Sequence, residues 1–397
     1  MTTDNVLILD ADTSYHIDII HSLVRNGITV HAADTGSDFP FSKYSRFVAS
    51  RDQVGVPDPS SFIDSHGFFG DPYFGYVSPD TYFDQLSSAI ARRDVDILLP
   101  YREEHTIVLS SIADELVEET GVRIALPDHE DVLDATNKRR TMQRASEAGL
   151  SIPRSYYPEV EDDVYDVFER EETPVVAKPS FGRGSSGVRF CETLEEGLEA
   201  FRAIDAYSRP LFQEAVTGTK YMANTVANRQ HEPVSSFVAQ VHAMSSPEPG
   251  GSICSRSVKN DAVREQLLGL VDAFDWVGPA SPEFIVDSET GEAKLMEINP
   301  RMFGHTTIAI RSGVEVPHLY YCIAADHPVE PIHDYTEDLL WIDPIPMLRT
   351  GKIRRFTVSD LLNRLVTGGV FQSEYLITDP VYSGLMLAND VKSKLLS

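Results

Sequence analysis

Ser281-Pro-Glu-Phe-Ile-Val-Asp-Ser-Glu-Thr-Gly-Glu-Ala-Lys-Leu-Met-Glu-Ile-Asn-Pro-Arg301 decides how the rest of the chain is read. Two apolar-rich arms flank a turn at Ser288–Glu292, where Gly291 supplies the positive φ of a tight reversal. The stretch therefore predicts a β-hairpin. Side chains alternate along a strand, so Glu297 and Asn299 share one face. A register symmetric about the turn sets Glu283 opposite Glu297, and two carboxylates facing across a ladder repel. A hard divalent cation removes that repulsion: Mg²⁺ takes oxygen ligands from one or two carboxylates and keeps its other positions for substrate phosphates. Arg301 follows as a planar cation placed to reach the same phosphates. Taken alone, these residues also fit a solvated edge hairpin with scattered charges.

At 397 residues the chain is longer than one usual domain, so two or three are expected. Its 42% apolar and 9% aromatic content suffices for packed cores. Acidic residues number 61 against 34 basic ones, giving −27. That balance argues against non-specific binding of nucleic acid or an anionic membrane. It resembles the surface of proteins from a salt-filled halophile cytoplasm, an ordinary acidic cytosolic protein being the alternative. Cys191, Cys254 and Cys322 are odd in number and far apart. They fit a reducing, cytoplasmic compartment and no disulfide or zinc framework. No basic region followed by an apolar core opens the chain, and no apolar run approaches ~18 residues, so nothing marks secretion or a membrane span.

Val6–Leu9 is an apolar run ending in Asp10-Ala-Asp12, which predicts a buried parallel strand. A helix capped by Ser14 and stopped by Gly27 follows, then a strand at Thr29–Ala33. No Gly-rich turn follows the first strand, which counts against a Rossmann dinucleotide site. Residues 52–80 read as a long loop. A helix at Tyr82–Arg92, a strand at Asp96–Pro100, a helix at Thr106–Thr120 and a strand at Arg123–Leu126 continue a parallel sheet covered by helices. Asp134–Ala148 predicts one helix containing Asn137-Lys138-Arg139-Arg140, a basic run for which a solvated helix face is the plainer reading.

A second unit opens near Ile152, with a helix at Val164–Arg170 and a strand at Pro174–Lys178. Pro179-Ser-Phe-Gly-Arg-Gly-Ser-Ser-Gly187 leads into a strand at Val188–Cys191. A Rossmann turn needs a helix next, and a Walker A loop needs a closing Gly-Lys-Ser/Thr; neither is here. A Gly-rich turn between antiparallel strands, with Lys178 on the first, suits a flap over nucleotide phosphates, since backbone N–H groups approach closely where no Cβ intervenes. A flexible surface hairpin is the alternative. A helix at Glu192–Ser208, strands at Leu211–Val216, Tyr221–Ala227 and Val234–His242, a loop at Ser245–Ser252 and a helix at Asp261–Phe274 lead to the hairpin. Helices at Thr306–Gly313 and Pro317–Ala325, a Pro-rich acidic linker from Asp326 to Pro346, a basic patch at Arg349–Arg355 and a helix at Val358–Val366 complete the chain.

A basic residue before the second unit, Lys178 with its Gly loop, Gln213-Glu214 ahead of Gly218, and Glu283…Glu297-Ile-Asn299-Pro-Arg301 stand in that order. Together they resemble the ATP-grasp superfamily. Asn299-Pro-Arg-Met-Phe-Gly304 looks like the variant found in carboxylate–amine ligases near D-aspartate ligase. The likeness runs from Val6 to about Ala325. It implies a three-lobed α/β and α+β architecture: an N-terminal β-α-β lobe over 1–130, a small lobe with the Gly-rich flap over 131–217, and an antiparallel-sheet lobe with the metal site over 218–330. A C-terminal extension fills 331–397. Carried onto this sequence, Lys138 and Lys178 contact ATP phosphates, and the backbone at Gly184, Ser185, Ser186 and Gly187 covers them. Gln213, Glu214 and Val216 form the adenine hinge. Glu283, Glu297 and Asn299 hold Mg²⁺, or Mn²⁺ in its place, and Arg301 steadies the transferred phosphoryl group.

The resemblance further implies an ADP-forming ligase. A carboxylate is a poor electrophile because its leaving group is oxide; transfer of the γ-phosphoryl of ATP makes an acyl phosphate, which an amine attacks. No protein nucleophile is required, and the sequence offers no Ser/His/Asp or Cys/His signature. Two departures stand out. Lys220 and Tyr221 occupy the place where the family puts a ribose-binding Glu, and His305 follows Gly304 where biotin carboxylases need acid and amide partners. The first supports a second reading, a regulatory protein that binds nucleotide without turnover; the second weighs against a carboxylase or carbamoyl-phosphate-type enzyme. Arg256, Lys259 and His305 are further candidates for substrate contact, and homodimerisation is common among such enzymes.

Overall fold

A computed structural model of the chain describes residues 4–11, 16–35, 41–63, 76–172, 174–182, 186–245, 251–302 and 306–343, and, beyond these, 347, 350–352, 370–371, 379–381 and 384–385. The expected Ser14 cap, the Val358–Val366 helix and much of the 349–355 basic patch lie outside the described residues.

The first lobe is β1 (Asn5–Ile8), α1 (His16–Arg25), β2 (Thr29–Asp34), β3 (Ser50–Gln53), α2 (Pro79–Arg93), β4 (Ile97–Leu99) and α3 (Glu103–Thr120). Its strands pair in parallel in the order β3-β2-β1-β4. Alternation along β1 sends Leu7 into a core with Tyr82, Leu86, Leu98 and Val108, and Val6 and Ile8 into another with Ile19, Ile20 and Leu23. Both faces are covered, which is why the run reads as continuously apolar. The strand expected at Arg123–Leu126 is reduced to a single bridge from Arg123 to Ile97.

The helix expected over Asp134–Ala148 is two: α4 (His129–Thr136) and α5 (Lys138–Glu147). Asn137 breaks them, with φ −90° and ψ 106°, and its side chain accepts from the backbone N–H of Arg139 and Arg140. An Asn able to cap is a poor helix interior, and here the cap prevails. The small sheet comprises β5 (Ser155–Tyr156), β6 (Val175–Pro179), β7 (Arg189–Cys191) and β8 (Pro210–Glu214), all antiparallel in the order β5-β8-β6-β7. One face of it is covered by α6 (Asp163–Arg170) and α7 (Leu194–Asp205) around Val175, Ala177, Cys191 and Phe212.

The large sheet runs β13-β12-β9-β10-β11-β14-β15. Its strands are β9 (Gly218–Ala227), β10 (Phe237–Met244), β11 (Ser252–Ser257), β12 (Gly278–Asp287), β13 (Ala293–Asn299), β14 (Leu340–Ile342) and β15 (Val370–Phe371). β11 was not expected, and β14 replaces part of the expected linker. Helix α8 (Asp261–Ala273) covers one face together with α4 and α5. Helices α9 (Thr306–Ser312) and α10 (Val316–Ala324) fill the other, where they share a core with α1, β1 and β4. No helix among the described residues is long and apolar enough to cross a membrane.

Candidate active site

The hairpin is β12 and β13, closed by Gly291 at φ 75° and by Asp287, whose carboxylate accepts from the backbone N–H of Glu289 and Thr290. Next to the turn Val286, Ile285 and Phe284 face Ala293, Lys294 and Leu295. Beyond it Glu283 faces Glu297, and Ser281 faces Asn299. The register shifts by one residue in between, so Met296 is extra on its strand, a β-bulge. The expected pairing of the two acids is present, but its cause is corrected: the bulge produces it, not a symmetric turn.

Both acids are half-buried. Burial, and then the charge of Glu297, push the Glu283 carboxyl up to about 7. Burial pushes on Glu297 as well, but the charge and hydrogen bond of Lys138, then Lys178 and Arg301, outweigh it and hold that carboxyl below its ordinary value. Lys138 Nζ lies 3.2 Å from Glu297 and donates to the Gly182 carbonyl at 2.7 Å. It gets there because it is the first residue of α5, where its own N–H donates to Ser180 O at 2.8 Å. The basic run thus diverges. Arg139 turns to the carbonyls of Tyr157, Pro158 and Pro210, and Arg140 to Glu130 and Asp134.

Lys178 is buried, and its ammonium donates to Gln213 Oε1 at 2.7 Å. Burial lowers its pKa to about 8, with Lys138 and Lys220 adding to the effect and Glu297 and Glu283 opposing it. Such an amine gains from an incoming anion. Lys138, Lys178, Lys220, Glu214, Glu283 and Glu297 line a cleft of about 990 Å³, its open mouth included. Val176, Val188, Phe190, Ala215, Val216 and Met296 add apolar side chains to the same lining. Apolar side chains and several ammonium groups in one cleft suit a base joined to a phosphate chain.

The other expected residues sort as follows. Gln213 is buried behind the wall, between Lys178 and Ser155, to whose Oγ its amide donates at 2.8 Å. Glu214 lines the cleft, but its carboxylate is engaged by Lys294 at 2.6 Å and Arg154 at 2.8 Å, so Ala215 and Val216 form the wall beside it. Asn299 Oδ1 accepts from Arg301 Nη2 at 3.1 Å, and its amide donates to Ser281 O at 3.1 Å, which locks both side chains at the hairpin's open end. Ser186 lines the cleft. Gly187 sits at φ 75°, and a Cβ there would strike the Tyr207 hydroxyl and the Pro179 ring. Gly184, Ser185 and His305 lie outside the described residues. Arg256 pairs with Asp338 at 3.6 Å and Lys259 with Asp334 at 2.5 Å, so both serve surface ion pairs. Of the apolar lining the sequence reading named Val216; Val176 and Met296 read as ordinary strand residues, although Val176 stands two before Lys178 and hence on its face.

Two facing carboxylates and the Asn299 amide two residues along form a hard oxygen donor set. The donors fit Mg²⁺. Among the described residues no three His, Cys, Asp or Glu side chains are placed together to hold a metal ion, so remaining coordination positions here would fall to water or a substrate.

Residues 135–305 match the family model of the ATP-grasp domain. The large chain of carbamoyl phosphate synthase from Methanobrevibacter smithii is 23% identical over 242 residues, covering 57% of this chain and 22% of its own. The chain thus spans about a fifth of that relative's length. The biotin carboxylase domain of 2-oxoglutarate carboxylase from Hydrogenobacter thermophilus, solved with MgADP, ADP and bicarbonate, superposes with a TM-score of 0.65 at 15% identity, over 86% of this chain and 74% of that one. L-amino acid ligase from Bacillus licheniformis gives 0.60 at 16%, over 83% and 76%. The protein has the ATP-grasp fold, mixed α/β with parallel and antiparallel sheets.

Proposed function

We propose that the protein is an ATP-dependent, ADP-forming ligase that joins a small carboxylate to an amine through an acyl phosphate. The observation that carries this is the meeting of Glu283 and Glu297 with Lys138 and Lys178 in one cleft. In this reading Glu283, Glu297 and Asn299 hold Mg²⁺, which when bound neutralises charge on the phosphates. The ammonium groups of Lys138 and Lys178 bind phosphate oxygens, and Arg301 holds the phosphoryl group in line. The substrate carboxylate attacks the γ-phosphorus, the β–γ P–O bond breaks and ADP leaves. The amine nitrogen then attacks the acyl carbon, phosphate departs and the amine loses a proton. The chain supplies position and charge, which suffices for phosphoryl transfer.

This reading assigns the second substrate to the carboxyl ends of β1 and β4; the reversal of the strand order β3-β2-β1-β4 there supports it. The buried Arg102–Asp10 pair, at 2.8 Å, spans that crevice. Thr106 Oγ1 on α3 donates to Pro300 O at 3.1 Å and so ties the crevice to the Asn299–Arg301 end of the cleft. The run Asn299-Pro-Arg-Met-Phe-Gly304 supports a place near D-aspartate ligase, and the three free, buried cysteines support a cytoplasmic, reducing setting.

ADP release with Mg²⁺ over a matrix of amino acids and small carboxylates is the test. Glu297→Ala is expected to lower turnover at least about a hundredfold, since the loss of even an outer partner of a metal costs 10–100-fold, while unfolding stays cooperative. Undiminished turnover in Glu297→Ala would contradict the site. Lys220 in the cleft favours the second reading, a protein that binds nucleotide without turnover; ATP binding with no ADP release from any pair would establish it.

A further inference from the structure

Arg301 lies two residues past Asn299, the last residue of β13, and Pro300 between them brings no N–H. The ladder that fixes Glu297 and Asn299 therefore ends before it. Its own N–H bonds locally, to Asn299 O at 2.8 Å. Its carbonyl is held from another strand: Ser281 Oγ on β12 donates to it at 2.6 Å.

Behind Ser281 stands Asn224. The β9–β12 register runs from Ala280–Thr225 to Glu283–Met222, which sets Asn224 opposite Ser281, as Asn299 is on the other side. Three polar side chains thus form a row across β9, β12 and β13, next to the row of Met222, Glu283 and Glu297. Asn224 Nδ2 donates to Ser281 Oγ at 3.1 Å and to Ala280 O at 3.3 Å. Asn224 and Ser281 are both buried, so water does not compete for these bonds.

A serine hydroxyl has one proton and rotates to suit its partners. Ala280 O can only accept, so the Asn224 amide turns its NH₂ to this side, and the Ser281 oxygen takes one of its protons. The serine's own proton is thereby directed to Arg301 O. The penalty falls at the far end of the amide: Asn224 Oδ1 is buried and has no hydrogen-bond partner among the described residues. A buried acceptor left unpaired lowers stability, so packing does not explain an asparagine here.

We propose that Asn224 is a positioning residue for Arg301: through Ser281 it fixes the backbone from which the guanidinium reaches the transferred phosphoryl group. This rests on the ligase reading, in which Arg301 holds that group. The guanidinium is anchored from the same row, since Asn299 Oδ1 accepts from it at 3.1 Å while the Asn299 amide donates to Ser281 O at 3.1 Å.

The test uses MgADP with and without tetrafluoroaluminate, which takes the place of the phosphoryl group being transferred and needs no second substrate. Calorimetry on the full-length protein, on Asn224→Ala, on Ser281→Ala and on the double variant reads both affinities. The parent is expected to bind MgADP more tightly with the fluoride complex present. Each single variant is expected to bind MgADP within about twofold of the parent and to lose about tenfold or more of that gain, because a misplacement of about 1 Å costs up to about 10²-fold. The double variant is expected to lose no more than either single one, since both act on one relay. Asn224→Leu keeps the volume and removes the unpaired acceptor, so it measures the same loss where Asn224→Ala does not fold. An undiminished gain in the Asn224 variants, an equal loss of MgADP binding itself, or additive losses in the double variant overturns the proposal. A parent that binds MgADP but gains nothing from the fluoride complex overturns the place of Arg301 at the phosphoryl group, and a parent that binds no MgADP overturns the nucleotide reading.

Discussion

Glu297 faces Glu283 across the β12–β13 ladder because Met296 is an extra residue in its strand. In the register that holds near the turn, Glu283 would face Met296, and Glu297 would stand opposite Pro282 on the other face. One bulge therefore converts two ordinary strand acids into a pair on the face that lines the cleft.

Deleting Met296 removes the bulge and makes Glu297 the residue after Leu295, still opposite Glu283, so Mg²⁺-dependent ATP binding is expected to persist. Met296→Leu keeps the residue count and is expected to keep the binding. Calorimetric titration of MgATP into both variants decides, and a folded deletion variant that no longer binds MgATP refutes the idea that the facing of the two acids is what the cation needs.

The Glu283 carboxyl, raised to about 7 by burial and by Glu297, must lose its proton before it can hold a cation. Apparent Mg²⁺ affinity is therefore expected to rise from pH 6 to pH 8 with proton release on binding, and to lose most of this slope in Glu283→Gln. In the metal-free protein the same group acts oppositely on stability. Its folded pKa exceeds the unfolded one, so the folded chain binds the extra proton. That contribution is complete below the ordinary carboxylate range and is lost as pH rises through about 7. Chemical denaturation in EDTA at several pH values measures it. A Glu283→Gln variant with an unchanged stability profile across that window argues against the assignment.

Gly187→Ala places a Cβ against Tyr207 and Pro179 at φ 75°. A left-handed backbone costs a non-glycine residue about 1–2 kcal/mol, and the collision adds to it. Stability to urea and ATP affinity are both expected to fall. Adding Tyr207→Phe removes the hydroxyl and is expected to restore part of the loss, the part due to the clash and not to φ. No recovery in the double variant would mean that backbone strain is the whole effect.

A net charge of −27 predicts self-repulsion that salt screens. The melting temperature is expected to rise between ~0.1 M and ~2 M KCl, where the Debye length falls from about 10 Å to under 3 Å. A melting temperature that is flat or falls over that range would count against adaptation to a saline interior.

Much of this was legible in residue order. Apolar runs such as Val6–Leu9 and the alternation through Val175–Pro179 are local signals, and they specify strands because burial on one or two faces leaves period-2 or continuous patterns. Lys178, Glu283 and Glu297 stood out because a charge on an otherwise apolar strand needs a reason. Three things were not local. Asn137 could serve as helix interior or as cap, and only the docking of Lys138 N–H on Ser180 shows the cap prevailing. β11 and β14 lack a strong pattern of their own and exist because they extend a sheet already formed by others. Phe190 and Met296 look like core residues until the face they occupy is known.

The chain by itself thus determined which residues carry charge on strands, where glycine permits a positive φ, and the order of the motifs, because these depend on neighbours a few residues away. Tertiary structure alone decided that Met296 bulges so that the two acids meet, that Lys138 leaves its basic companions to join them, and that the Phe190 ring stays half in water at the cleft. Those outcomes depend on register and on lobe-to-lobe packing, which arise between segments up to about 160 residues apart, as from Lys138 to Glu297.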